Sequence, residues 1–266
     1  MSSNLGMEFL ELRLRAMRRW ATVVPAVSLL ALAGLLFQQA AAADAAAAAE
    51  SEAAAVLEAA LEGAPPSAEQ RCAYTRIRIG PDSSKAERFD PSDPENPWTL
   101  LSLDGREPTA ADLRRFSSKD LDDRIHPLAF DPRDMIREGS WELVSENGVE
   151  AVYEFQLQPY EALDERLAEK VIGTLVIDRT EGRLVRIRIE NTEPTFVAPL
   201  VRITDYAHEL RFERDEAVGT DVLVQTITHM RGRAVGVRRL RQDRVIRYED
   251  YVCSDDLLAQ PRAEQP

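Results

Sequence analysis

Metal-binding and redox side chains are scarce in this sequence. It holds three histidines, His126, His208 and His229, far apart and without an adjoining cysteine or His-x-Glu cluster, and two cysteines, Cys72 and Cys253. A zinc or iron site needs three or four converging ligands. The pattern therefore gives no metal centre, and the histidines read as surface or strand-face groups. Excess basic charge is absent too, since 33 Lys and Arg stand against 46 Asp and Glu, a formal net charge of -13. Such a chain repels a phosphate backbone and an anionic membrane surface, which argues against nucleic-acid binding and general attachment to lipid. The loops G-x-x-x-x-G-K and G-x-G-x-x-G and the nucleophile elbow G-x-S-x-G are missing, so nothing points to a nucleotide, a dinucleotide cofactor or a serine hydrolase. Acidic pairs such as Asp122-Asp123 and Asp255-Asp256 read as solvated surface, because a glycosidase pair is defined by separation in space rather than in sequence. The expectation is a protein with no cofactor that is not an enzyme.

Long apolar runs are rare as well, and the single clear one is informative. Arg18 and Arg19 precede an uncharged stretch from Trp20 to Phe37, followed by small residues from Ala40 to Ala43. A basic patch, an apolar segment and an A-x-A site make a secretory signal. The expectation is a signal peptide over 1–43, cleaved near Ala43, with Met17 as an alternative start and the periplasm as destination. The other reading is an uncleaved inner-membrane anchor, since the run is close to the lower length limit for a span. In an exported chain an even cysteine count implies a disulfide, here Cys72 to Cys253. It would close nearly the whole folded region into one loop, which the chain-entropy account values at up to on the order of 5 kcal/mol.

What is present is strand pattern. Hydrophobic residues make up 44% of the chain, enough for a core. Residues 44–66 are an Ala-rich helix and linker, with Val56, Leu57 and Leu61 as a narrow apolar stripe and Gly63 to Ser67 as the stop. The folded domain is expected over 67–256 and a loose tail over 257–266. Tyr74 to Ile79 alternates, with Thr75, Ile77 and Ile79 on one face and Tyr74, Arg76 and Arg78 on the other, which is a half-buried strand. Lys85 to Phe89 pairs with it across a turn, and Trp98 to Leu103 is a third strand. Thr109 and Asp112 suggest a capping box opening a short helix. Residues 117–136 read mainly as loop. Asn147-Gly148 and Thr180-Glu181-Gly182 mark two hairpins, Leu163 to Lys170 is a short helix or bulged connection, and three longer strands follow up to Val252. Less regular alternation in those last strands predicts bulges. The fold class is mainly β with a few helices: a strongly curved antiparallel sheet, or half-open β-barrel, with helices against its concave face.

Several segments carry a resemblance. They are Arg76 to Arg88, then Glu87-Arg88-Phe89-Asp90-Pro91-Ser92, then Trp98-Thr99-Leu100-Leu101-Ser102-Leu103-Asp104-Gly105 continuing to Pro108-Thr109. Arg186 to Pro194 and Met230-Arg231-Gly232-Arg233-Ala234 belong with them. Together these resemble exported proteobacterial proteins of unassigned activity, which are similar in organisation to the outer-membrane lipoprotein carriers of the LolA/LolB type. The resemblance implies a half-open antiparallel barrel with a helical lid and an apolar cavity for lipid chains. No functional residue of the carriers can be placed on this sequence.

Within that frame Trp98, Leu100, Trp141, Tyr153 and Phe155 are the cavity candidates, though aromatic residues in a β protein are most often core. Arg76, Arg78, Arg186, Arg188, Arg231 and Arg233 read as a salt-bridged outer face, or as a basic patch for an anionic headgroup. Asp90-Pro91-Ser92 and Asp104-Gly105-Arg106 read as turn chemistry. The functional expectation is an exported protein that binds a hydrophobic ligand, a lipid or lipoprotein acyl chain. The alternative is a protein-interaction or sensor module of the same fold with its cavity filled and a protein partner in the cell envelope.

Overall fold

A computed structural model describes residues 47–64, 72–93, 95–117, 132–159, 165–235 and 238–253. The expected signal segment, the 257–266 tail, His126, Asp122-Asp123 and Asp255-Asp256 lie outside the described residues, as does most of the 117–136 loop. The chain divides into two units, Met1–Ala55 and Val56–Pro266. In the first, residues 47–55 are helical, as a run of Ala and Glu favours. In the second, residues 56–62 are helical, with Leu57, Ala60 and Leu61 buried.

The second unit is mainly β. Its strands are β1 (Cys72–Ile79), β2 (Ser84–Phe89), β3 (Trp98–Leu103), β4 (Glu142–Glu146), β5 (Glu150–Gln156), β6 (Val171–Asp178), β7 (Arg183–Asn191), β8 (Thr195–Ala198), β9 (Val201–Asp215), β10 (Thr220–Ala234) and β11 (Arg238–Cys253). Helix α1 (Ala110–Ser117), helix α2 (Glu165–Ala168) and a short 3-10 turn (Pro132–Met135) sit in the connections. All eleven strands join one sheet in the order β3-β2-β1-β11-β10-β9-β7-β6-β5-β4, with β8 on β9 beside β7. Every pairing is antiparallel. Among the described residues the sheet is not closed, and β3 and β4 are its edges.

Local chemistry sets the connections. At α1 the Thr109 hydroxyl accepts from the Asp112 amide at 3.2 Å, and the Asp112 carboxylate accepts from the Thr109 amide at 3.0 Å, a reciprocal capping box. The β4–β5 turn is held by Asn147, whose Oδ1 accepts from the amides of Val149 and Glu150. Asp104 (φ 54) and Gly105 (φ 74) turn the chain after β3. Asp104 Oδ1 accepts from the Ser84 amide, and Asp90 Oδ1 from the Ser92 amide. Both Asp-containing segments are thus turn chemistry, as expected.

The first and last strands are neighbours, and Cys72 and Cys253 face each other in the β1–β11 register as a disulfide across a sequence separation of 181. Bulges interrupt β1–β11 near Tyr74, β10–β9 near Val224 and Thr204, and β6–β7 near Val185. The last one corrects the sequence pattern. Plain alternation in Arg183 to Glu190 predicts Val185, Ile187 and Ile189 on one face, but the bulge puts Leu184 (1% exposed) with Ile187 in the interior and leaves Val185 half-buried.

Candidate functional site

Side chains alternate across a sheet, so the register sorts them onto two faces. One face carries Tyr74, Phe89, Trp98 and Leu100 at the β3 end, Tyr248, Leu210 and Ile187 in the middle, and Leu175, Tyr153 and Phe155 towards β4. All but the half-buried Phe89 are buried. Four of the five cavity candidates therefore share this face. They form two groups, because seven strands lie between β3, with Trp98 and Leu100, and β5, with Tyr153 and Phe155. Trp141, half-buried just before β4, meets the Tyr153 ring edge-on at 6.0 Å. The Phe155 ring lies over Gly173, where any side chain would collide with it.

At the β3 end the rings make a cluster around Tyr74. Phe89 is 5.2 Å away, Tyr251 5.5 Å, Tyr248 5.8 Å and Trp98 5.9 Å. The Tyr251 hydroxyl donates to the Leu223 carbonyl at 2.7 Å. This cluster sits beside the disulfide.

Next to the rings, on the same face, lies a charged cluster. Arg76 (1% exposed) stacks over the Trp98 ring at 3.8 Å and donates from Nε and Nη2 to Glu87, which is equally buried. Arg78 Nε approaches the same carboxylate at 3.2 Å and Lys85 Nζ at 2.5 Å. Here the structure overturns a sequence expectation. Tyr74 and Arg76 lie on the buried face of β1, while Ile79 is exposed. The opposed carboxylate was foreseen, but the pair belongs to the interior and not to the outer face.

Three cations share one carboxylate, and the pKa shifts report it. Burial pushes Glu87 up, but Arg76, Arg78 and Lys85 together hold it below the ordinary glutamate range. Burial pushes Arg78 down, Arg76 and Arg244 add repulsion, and burial also lowers Lys85 despite its bond to Glu87.

A cavity of about 400 Å³ opens beside this cluster. Its origin is geometric. The β1–β11 pairing ends at Ile79–Val245, so Arg241 to Arg244 run on past the 80–83 turn and leave space between. Arg78, Ser83, Ser84, Lys85, Arg241 and Arg244 line it, with Asp243 as its acidic group. A smaller cavity of about 150 Å³, lined by Leu100, Leu103 and Phe116, shares Lys85 and Leu103 with it.

His208 belongs to the buried face, since it pairs with Ile189 and Thr228, and its Nδ1 is 3.0 Å from the Thr228 hydroxyl. Burial alone lowers its pKa. A histidine whose pKa is lower folded than unfolded binds a proton more readily once unfolded, so stability falls as the pH drops through the ordinary histidine range. Urea titrations from pH 7.5 to 5 should show this slope in the wild type and a flatter profile in His208→Gln. Equal slopes would place His208 in water.

The opposite face is a charged lattice. Glu209 takes Arg211 at 2.6 Å and Arg188 at 3.5 Å, and Asp243 takes His229 at 2.7 Å, Arg241 at 2.7 Å and Arg231 at 3.4 Å. For Arg188 and Arg231 the expected locally paired outer face is what is found. Exposed apolar side chains gather elsewhere, at Phe196, Val197, Leu200 and Val235. The Val235 amide donates to the Leu200 carbonyl at 2.8 Å, so the β8–β9 turn and the end of β10 meet there. Leu200 (φ 65) and Val235 (φ 52) both hold left-handed backbone, a strain of about 1–3 kcal/mol for such residues.

Among the described residues no group of three or more His, Cys, Asp or Glu could hold a metal ion, and no helix is long and apolar enough to cross a membrane. The arrangement defines an antiparallel single-sheet protein whose aromatic interior face is continuous with a cationic pocket. No family model, curated protein or solved structure matches the chain.

Proposed function

We propose that this is a non-enzymatic protein of the cell envelope that holds an apolar ligand, a lipid or a lipoprotein acyl chain, against the interior face of a half-open barrel. The observation that carries the reading is the interior face itself. Aromatic and aliphatic side chains run along it from Trp98 and Leu100 on β3 to Tyr153 and Phe155 on β5, on a sheet whose edges, among the described residues, stay unpaired with each other. A sheet that curves about such a face and does not close can admit a chain along it. Periplasmic location follows from the signal-like N-terminal sequence. The test is native mass spectrometry with lipid extraction on protein purified from the periplasm without detergent. A stoichiometric acyl species is expected. An apo mass that stays unchanged after lipids are offered sinks the reading.

A second reading is favoured by two observations. Trp98, Leu100, Tyr153 and Phe155 are at most 9% exposed, so the space around them is occupied in this conformation. The exposed patch of Phe196, Val197, Leu200 and Val235 includes two residues in strained backbone, Leu200 and Val235, and such patches mark contact sites. On this reading the interior is filled, and the protein is an interaction or sensor module that docks a protein partner there.

A further inference from the structure

We propose that the cavity between the 80–83 turn and residues 241–244 is a binding site for a phosphate group. The inference goes beyond the apolar-ligand reading and stands whether or not an acyl chain is held.

The charge balance is the first reason. Arg76, Arg78 and Lys85 converge on Glu87 alone, which leaves the cluster with two more cations than anions. Buried charge of one sign is costly without a counter-ion. Arg244 reaches the same cavity, and among the described residues no carboxylate pairs with it. The acid on the wall, Asp243, is already taken by Arg231, Arg241 and His229.

The donors are the second reason. Arg78 Nε is buried without a hydrogen-bond partner, because its 3.2 Å approach to Glu87 is misaligned. A buried donor left unmade is unfavourable. Arg78, Lys85 and Arg244 line the space together with Ser83 and Ser84. Two guanidinium groups, an ammonium and two hydroxyls around about 400 Å³ suit a tetrahedral oxyanion, which accepts from several donors at once. A bound phosphate would offset the surplus charge and give Arg78 Nε an acceptor. Burial and neighbouring cations lower both Arg78 and Lys85, and a phosphate between them would favour their charged forms.

Phosphate can come from a free phosphate or from a phospholipid headgroup, whose chain would lie towards the adjoining pocket of Leu100, Leu103 and Phe116. Isothermal titration of the purified protein with inorganic phosphate at low ionic strength tests the site. One saturable site is expected, weakened about tenfold by Arg244→Gln, as loss of a charged hydrogen bond implies. Arg244 is exposed, so this variant should fold. Arg247→Gln, on the opposite face, should bind as the wild type. Absence of saturable binding overturns the proposal, as does equal weakening by both variants, which would mean diffuse attraction. Lysophosphatidylglycerol below its micelle concentration separates the sources. Tighter binding than inorganic phosphate, with both weakened in Arg244→Gln, assigns a lipid headgroup. Equal affinity assigns a free phosphate and leaves the anion site standing while the acyl reading fails. Lysolipid binding that ignores Arg244→Gln, with no phosphate binding, overturns the anion site and leaves the acyl reading intact.

Discussion

Glu87→Gln should destabilise the fold by about 3–5 kcal/mol, whereas Arg76→Met should cost much less. The asymmetry follows from the count of charges. Removing the carboxylate strands three cations around one buried point, and Arg76 has no water to turn to at 1% exposure. Removing Arg76 leaves Glu87 with Arg78 and Lys85, and Met refills the space against Trp98. Urea unfolding of both variants under oxidising conditions measures the difference. Equal costs would mean that Glu87 does not balance the cluster. The same group predicts an acid limb. Its folded pKa is depressed, so its contribution is complete above the ordinary glutamate range and is lost as the pH falls through the folded value. The acid limb of stability should therefore be shallower in Glu87→Gln.

Opening the Cys72–Cys253 bridge should cost about 2–5 kcal/mol. The bridge joins β1 and β11, the first and last strands along the chain, across a sequence separation of 181, so it removes a large share of the unfolded chain's freedom. The β1–β11 ladder from Thr75 to Ile79 remains after reduction, and the folded state should keep its sheet. Urea midpoints with and without reductant, and for the Cys72→Ala/Cys253→Ala double variant, should fall together with little change in far-ultraviolet circular dichroism. Coincident midpoints for oxidised and reduced protein would show that the bridge adds nothing to stability.

Much of this fold was legible in the sequence, and what was missed has physical causes. Hairpin turns at Asn147-Gly148 and Thr180-Glu181-Gly182, the capping box of Thr109 and Asp112, and the cysteine pair each rest on local chemistry or simple pairing. They reappear in the structure. Faces were harder, because one inserted residue reverses them. On β1 the isoleucines pointed to the wrong side. The better signal was the aromatic phase: Tyr74 pairs with Phe89, and Phe89 with Trp98, and these rings carry Arg76 and Glu87 inward with them. On β7 a bulge changed the phase at Val185. Strand β8, at four residues, is too short for alternation to register. The pocket was beyond sequence reasoning altogether, since it arises where β11 outruns β1, and only register shows that.

The most direct test of the functional account is photo-crosslinking with a fatty acid that carries a diazirine on its chain, mapped by peptide mass spectrometry. The account predicts adducts on the peptides of β3 and β5 that bear Trp98, Leu100, Tyr153 and Phe155. Adducts confined to Phe196–Leu200 and Val235 would contradict it, because the apolar ligand would then lie on the outer patch and the interior would be a filled core.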